Sequence, residues 1–164
     1  MKHSYAWLFA ILAWASAAAW AAEGVPPARD LQQDAAAARA IDGALLIILV
    51  GKRCVYCERV LNEFLIPMSR NRDYQAKLVM RRLVVSDDRP IIDFEGRPTT
   101  PRQLARQYGY SLVPTVLLLD AKGRILAKPV VGLTTVDYYG MYLDEAIDTA
   151  IGKIRTKAVE PAPL

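Results

Sequence analysis

The feature that most constrains the fold of this chain is an unbroken apolar segment followed closely by two cysteines. Residues 45–50 read Leu-Leu-Ile-Ile-Leu-Val, with no polar position among them. An apolar run without alternation is typical of a strand that is buried on both faces of a sheet. A short Gly-Lys-Arg turn leads to Cys54 and Cys57, the only cysteines of the chain, and residues 58–65 then carry apolar side chains at helical spacing. The sequence therefore predicts a strand, a turn, a Cys-x-x-Cys motif and a helix, in that order.

A cysteine in the first turn of a helix is chemically activated. The unpaired N–H groups and the partial positive charge at that end stabilise a thiolate, and Lys52 and Arg53 add two full charges. We expect the pKa of Cys54 to fall from about 8.5 into the range of about 3.5–7.5 found at such sites. Tyr56, inside the motif, is the third residue that we assign to tuning the thiolate. Cys54 is thus predicted to be the attacking thiol, and the more buried Cys57 the resolving thiol that closes the disulfide.

The first 21 residues are predicted to be an export signal. Lys2 and His3 form a basic start, residues 5–22 carry no charge, and Ala19-Trp20-Ala21 has the pattern of a cleavage site. We expect cleavage after Ala21 and a location in the periplasm. An uncleaved N-terminal membrane anchor is the alternative, because the apolar stretch is just long enough to span a bilayer.

Other uses of the two cysteines fit the sequence less well. A static disulfide across so short a loop would constrain the unfolded chain little. A zinc site needs about four ligands, and His3, the only histidine, belongs to the predicted signal peptide. Glu58 stands where a haem-attachment motif has histidine. A two-coordinate Cu(I) site on Cys54 and Cys57 stays open. The main expectation is therefore no metal and no cofactor besides a redox-active Cys54–Cys57 disulfide.

Length and charge indicate one domain and a protein partner. We predict a linker over residues 22–29, a single domain over residues 30–157 and a disordered tail over residues 158–164 of the 164-residue chain. The formal charge is +4, with basic residues scattered along the chain. This distribution argues against nucleic acid as a partner.

Further elements are predicted from hydrophobic periodicity and from turn and cap residues. Residues 87–98 contain two prolines and a glycine without periodicity, so we expect a long loop whose aspartates are solvated rather than metal-binding. A proline at position 67 should end or kink the second helix near Ile66. Strands are expected at 45–50, 78–85, 111–119 and 124–128, and helices at 30–40, after Cys54, between Thr100 and Gly109, and from Val136 to Ile154.

Two segments of this chain resemble the thioredoxin fold, and the resemblance covers residues 30–154. One is the apolar strand that leads into Cys54-Val55-Tyr56-Cys57, and the other is residues 108–123, which look like the thioredoxin segment with a cis-proline. The resemblance implies an α/β thioredoxin fold, with a central mixed β-sheet flanked by helices on both faces. It also implies that Pro114 is cis and lies beside the sulfurs. The backbone of Val113 would then pair with an extended substrate, so that Val113 and Pro114 are the substrate-binding residues.

The chain also departs from thioredoxins proper. Those proteins carry Trp-Cys-Gly-Pro-Cys, and they have a buried aspartate six residues before the first cysteine. This chain has Arg53 in place of the tryptophan and Ile48 in place of the aspartate. The signal peptide and proline-rich insert look like those of exported bacterial thioredoxin-like proteins, including ones linked to sulfur oxidation. The motif lacks the histidine of strongly oxidising periplasmic enzymes, and the chain lacks room for the dimerisation domain of the isomerases.

We therefore expect a monomeric periplasmic thiol-disulfide oxidoreductase that reduces disulfides in client proteins and is recharged by a membrane electron-transfer partner. Two alternatives stay open. One is a periplasmic disulfide oxidase, and the other is a Cu(I)-handling or non-catalytic binding module.

Overall fold

The computed structural model describes residues 24–159. The predicted signal peptide, with its alternative as a membrane anchor, lies outside these residues, as do residues 22–23 of the predicted linker and 160–164 of the predicted tail. Within the described part, no helix combines the length and hydrophobicity needed to cross a membrane.

A four-stranded mixed sheet forms the centre of the domain. The strands are β1 (Ala44–Val50), β2 (Leu78–Val84), β3 (Ile91–Ile92), β4 (Pro98–Thr99), β5 (Thr115–Leu119) and β6 (Val130–Val131). The central sheet has the order β2-β1-β5-β6, while β3 and β4 pair with each other. Strand β1 is parallel to β2 and antiparallel to β5, so the apolar run predicted from the sequence occupies an interior position.

In the described part of the chain, six helices surround this sheet. They are α1 (Leu31–Ala40), α2 (Val55–Val60), α3 (Ile66–Arg70), α4 (Arg72–Gln75), α5 (Pro101–Tyr108) and α6 (Val136–Val159), with a π-helical segment (Leu61–Leu65) between α2 and α3. The side chain of Asp30 caps α1 by accepting the N–H of Gln33, and that of Thr100 caps α5 by accepting the N–H of Gln103. Both caps confirm the predicted helix starts. Helix α6 extends two residues into the predicted tail 158–164.

The alternation of side chains along β1 builds two separate cores. Leu45, Ile47 and Leu49 pack in one cluster with residues of α1 and α5. Leu46, Ile48 and Val50 pack on the opposite face, in a second cluster with residues of α2, the π-helical segment and α6. Because successive side chains of a strand point to opposite faces, one apolar run supplies both cores. The predicted mixed sheet with helices on both faces is confirmed.

Residues 25–29, which we predicted as part of a linker, pack against the domain. The N–H of Ala28 donates to the carbonyl of Arg82 at 3.0 Å, and the N–H of Arg82 donates to the carbonyl of Pro26 at 2.8 Å. Val25 and Ala28 are buried. This segment therefore adds a short backbone pairing to the outer edge of β2.

The helix that follows the cysteines continues past Ile66, so the prediction that Pro67 ends it there is wrong. Helical backbone continues through Pro67 to Arg70. The π-helical segment comes just before the proline, and the N–H of Ile66 donates to the carbonyl of Leu61, five residues back. Proline lacks the N–H of a regular helical bond and its ring crowds the preceding turn. A widened turn accommodates both defects without breaking the helix.

The predicted loop over residues 87–98 contains a short hairpin, formed by β3 and β4. The Asp93 carboxylate organises its turn by accepting the backbone N–H groups of Glu95 at 2.9 Å and Arg97 at 2.8 Å. Gly96 has a φ of 81°, which suits glycine. Local side-chain hydrogen bonding, rather than hydrophobic periodicity, defines this hairpin, and for that reason the periodicity analysis missed it.

The strands around Pro114 are shorter than predicted. Strand β5 starts at Thr115 rather than at residue 111. No regular strand forms over the predicted range 124–128. Ile125 makes one isolated bridge with Leu119, the N–H of Leu126 donates to the carbonyl of Leu118 at 2.8 Å, and regular pairing starts only at β6, beyond Pro129. Prolines offer no N–H to a ladder, so each of them interrupts the pairing. Strand β6 is an edge strand of the sheet.

We predict that Gly123→Ala destabilises the domain by about 3 kcal/mol, whereas Gly109→Ala costs about 1 kcal/mol. Both glycines have positive φ, 73° and 75°, so both variants carry the strain of a left-handed alanine. A Cβ at Gly123 would lie 2.7 Å from the ring of Phe94, whereas a Cβ at Gly109 would meet nothing within 4 Å. Urea unfolding of both variants measures the difference, and equal losses would show that Phe94 moves aside at no cost.

Candidate functional site

The two cysteines lie at the start of α2, directly after β1 and the short turn that follows it. Cys54 is the N-cap residue of this helix, and its Sγ accepts the backbone N–H of Cys57 at 3.2 Å. A disulfide joins the two residues, whose Cα atoms are 5.2 Å apart. A sulfur in this position receives the N–H groups and the partial positive charge of the helix end, which favour a thiolate once the disulfide is reduced.

Burial distinguishes the two sulfurs. Cys54 is half-buried, whereas Cys57 is 1% exposed. An external disulfide therefore approaches Cys54 more readily than Cys57. This asymmetry suits one attacking and one resolving thiol, the roles predicted from the sequence.

The turn before Cys54 holds two exposed cations. Arg53 has a φ of 56°, in the left-handed region that few residues other than glycine adopt, and the side chains of Lys52 and Arg53 are both exposed. Lys52 lies near Asp87. Hydrogen bonds from Arg89 hold the pKa of Asp87 at about 2, and the charge of Lys52 adds a smaller effect in the same direction.

The segment before β5 reaches the cysteine turn, so the structure brings together the cysteines and the predicted substrate-binding residues. A Cβ placed on Gly51 would lie 3.2 Å from Cγ2 of Val113 and 3.6 Å from Cβ of Cys54. The Val113–Pro114 peptide is cis, and Pro114 is buried. The carbonyl of Pro114 accepts the N–H of Gly132 at 2.7 Å, which ties this segment to the residue after β6.

The backbone of Val113 is free to pair with another chain. Within residues 24–159, neither its N–H nor its C=O makes a hydrogen bond. Beyond Pro114, the chain already has partners within the domain. Thr115 pairs with Leu49 of β1, and its hydroxyl donates to the carbonyl of Leu112 at 2.8 Å. Unpaired backbone groups beside a reactive sulfur are the requirement for recognising an extended polypeptide.

Exposed apolar side chains surround the disulfide. Val55 and Tyr56, the two residues between the cysteines, are 72% and 61% exposed, and Leu112 on the facing segment is 63% exposed. Large apolar side chains grouped on a surface mark a contact area for a partner. Tyr56, which we assigned to tuning the thiolate, therefore also contributes to this contact area.

The surroundings of the resolving cysteine are apolar. Cys57 belongs to the same buried cluster as Ile48 and Tyr139. The Tyr139 hydroxyl is buried without a hydrogen-bond partner in the described part of the chain, and burial raises its pKa to about 12. Glu58 is exposed on α2. Among residues 24–159, the buried carboxylates are those of Asp34, which pairs with Arg81, and Asp93, in the turn between β3 and β4.

The aspartates of the proline-rich insert are paired with arginines. Arg89 lies 2.6 Å from Asp87, and Arg102 lies 2.7 Å from Asp88. Within the described residues, no group of three or more His, Cys, Asp or Glu side chains is placed to hold a metal ion.

A mixed sheet with a Cys-x-x-Cys disulfide at the N-terminus of a helix, facing a cis-proline segment, defines a thioredoxin-fold protein of the thiol-disulfide exchange class. The sequence pattern of the thioredoxin-like domain matches residues 31–147, and the chain belongs to this family. Among solved structures, the thioredoxin of Malassezia sympodialis is similar, with 16% identity and a TM-score of 0.46 over 69% of this chain and 82% of that chain. Comparison with curated proteins finds no match.

Proposed function

We propose that this protein is a periplasmic thiol-disulfide oxidoreductase that reduces disulfides in client proteins. The observation that carries the proposal is the asymmetric pair at the start of α2, with a half-buried Cys54 bonded to a buried Cys57. The location in the periplasm rests on the predicted export signal. The direction, reduction rather than oxidation, rests on the absence of a histidine between the two cysteines.

The proposed reaction starts from the dithiol form. The Cys54 thiolate attacks one sulfur of a client disulfide, so a bond forms between Cys54 and the client while the client's own S–S bond breaks. The displaced client thiolate takes up a proton. Cys57 then loses its proton and attacks Sγ of Cys54, which closes the Cys54–Cys57 disulfide and releases the second client thiolate. Two electrons have then passed from the protein to the client, and the two client thiolates take up one proton released by Cys57 and one released when the Cys54 thiol ionised.

Positioning of the client falls to the segment that faces the cysteines. The unpaired backbone groups of Val113 bind an extended client strand, and the buried Pro114 keeps the next position free of an N–H that would compete for it. Lys52 and Arg53 stabilise the Cys54 thiolate with their charges. Val55, Tyr56 and Leu112 supply the apolar contact.

The cycle needs an external reductant. We propose a membrane electron-transfer partner that returns two electrons to the Cys54–Cys57 disulfide, with no cofactor besides that disulfide. The protein acts as a monomer in this scheme, because a single chain supplies both cysteines and the Val113–Pro114 segment.

Two measurements test the proposal. We expect the wild-type domain to accelerate the reduction of insulin by dithiothreitol, and its reduction potential against glutathione to lie near the reducing end of the family range, about −270 mV. A potential near −120 mV, the value of a strong oxidant, would reverse the direction and support the oxidase. Stoichiometric Cu(I) uptake without insulin reduction would instead support a copper-handling module.

A further inference from the structure

A groove of about 350 Å³ lies between the end of β2 and helix α5. Its walls include Val85 at the end of β2, Arg106 on α5, and Tyr110 and Ser111 on the segment that leads to Pro114. The N–H of Val85 donates to the carbonyl of Val50 at 2.9 Å. Gly51 follows directly, and a Cβ placed on it would lie 3.2 Å from Val113 and 3.6 Å from Cys54, so the groove lies close to the proposed client-binding segment.

The two arginines that line this groove differ in their partners. Arg102 also lines it, but its guanidinium bonds both oxygens of Asp88, at 2.7 and 2.9 Å. Hydrogen bonds from Arg102 are the largest of the effects that lower the pKa of Asp88, and Arg106 contributes only a small one. Within residues 24–159, the exposed Arg106 forms no salt bridge. Its guanidinium is therefore available to an external anion.

The path of a bound client passes this groove. Pairing with a client is confined to Val113, because the chain bends at residues 112–114 and the carbonyl of Leu112 already accepts the Thr115 hydroxyl. At about 3.3 Å per residue, the second residue from the client cysteine lies about 7 Å away with its side chain on the same face. Ser111, two residues before Val113, lies at most about 7.6 Å from it, so a client residue at that distance comes within reach of the groove that Ser111 lines.

We infer that Arg106 forms a carboxylate-binding subsite, so that preferred clients carry Asp or Glu two or three residues from the reactive cysteine. The inference rests on the proposed function. Guanidinium groups bind carboxylates through two parallel hydrogen bonds. The same positive charge selects against clients with a basic residue at this position.

A panel of matched peptides tests the inference. Each peptide forms a mixed disulfide with a small thiol and carries Glu, Gln or Lys at the second or third position on either side of its cysteine. We expect the reduced wild-type protein to reduce the Glu peptide about fivefold faster than the Lys peptide in low salt, with Gln between them. High salt should shrink this ratio because it screens exposed charges.

Variants locate the effect at Arg106. Arg106→Gln should lower the Glu-to-Lys rate ratio at least twofold. Arg72→Gln is the matched control, because Arg72 is exposed and precedes the start of β2, at the opposite end of the sheet. Equal rates for Glu and Lys peptides, or an unchanged ratio in Arg106→Gln, would overturn the inference while leaving the proposed function intact.

Failure of the proposed function can be distinguished from failure of the carboxylate-binding subsite. If the wild-type protein reduces none of the peptides, exchange chemistry fails, and the subsite is then tested by binding alone. Peptides with Ser in place of Cys are titrated into the full domain and followed by NMR. Tighter binding of the Glu peptide, lost in Arg106→Gln and kept in Arg72→Gln, supports the subsite, and equal binding of all peptides overturns it.

Discussion

Replacing Cys57 with serine should trap client proteins on Cys54 as mixed disulfides. The first step of the proposed reaction needs only Cys54, which keeps its place at the N-terminus of α2 in this variant. The second step needs a thiol held beside the Cys54 sulfur, and a correctly oriented internal thiol acts at an effective concentration far above that of any free thiol. We therefore expect the lifetime of the mixed disulfide to increase at least about hundredfold. Non-reducing gels of cell extracts detect these adducts, and dithiothreitol should cleave them by reducing the mixed disulfide.

The matched controls use the same two positions. Cys54→Ser leaves only the buried Cys57, which a client disulfide does not reach, so we expect no adducts from it or from the double variant. If Cys54→Ser and Cys57→Ser collect equal amounts of adduct, the assignment of attacking and resolving thiols fails. Serine is close to cysteine in size, so neither substitution should prevent folding.

The sequence located the reactive pair because strong local patterns surround it. The apolar run of β1 and the helical spacing after Cys57 are both visible along the chain, and together they place the cysteines at a helix start. The place of Pro114 beside the cysteines was predicted only from the resemblance to thioredoxin. Its proximity to Cys54 depends on the antiparallel pairing of β1 with β5, which no local pattern shows.

The features that the sequence did not reveal depend on contacts between distant residues or between side chains. The ion pair of Asp34 and Arg81 joins α1 to β2 across 47 positions, and neither residue belongs to a motif. Burial raises the pKa of Asp34, against the hydrogen bond and charge of Arg81. The groove beside Arg106 likewise brings Val85 against residues 102–111, so only the folded chain defines it.

Ile48 offers the sharpest test of how this domain differs from thioredoxins with a buried aspartate at the same place. Its side chain is 0% exposed and lies in the cluster that contains Cys57. We predict that Ile48→Asp lowers the free energy of unfolding by about 5 kcal/mol at pH 7, because the variant loses apolar burial and places a carboxyl group among apolar side chains. Ile48→Asn is the matched control, since it has a similar shape and polarity but does not titrate.

The pH dependence separates the charge from the loss of packing. Burial should raise the pKa of Asp at position 48 above its unfolded value of about 3.9, so the folded variant keeps its proton to higher pH than the unfolded chain does. Its stability is therefore greatest below pH 4 and falls as the pH rises toward the folded pKa. Between pH 7 and pH 5, Ile48→Asp should regain about 2 kcal/mol relative to Ile48→Asn, measured by urea unfolding at each pH. Parallel profiles for the two variants would mean that the carboxyl group finds water or a cation, and that the apolar surroundings assigned to Cys57 are wrong.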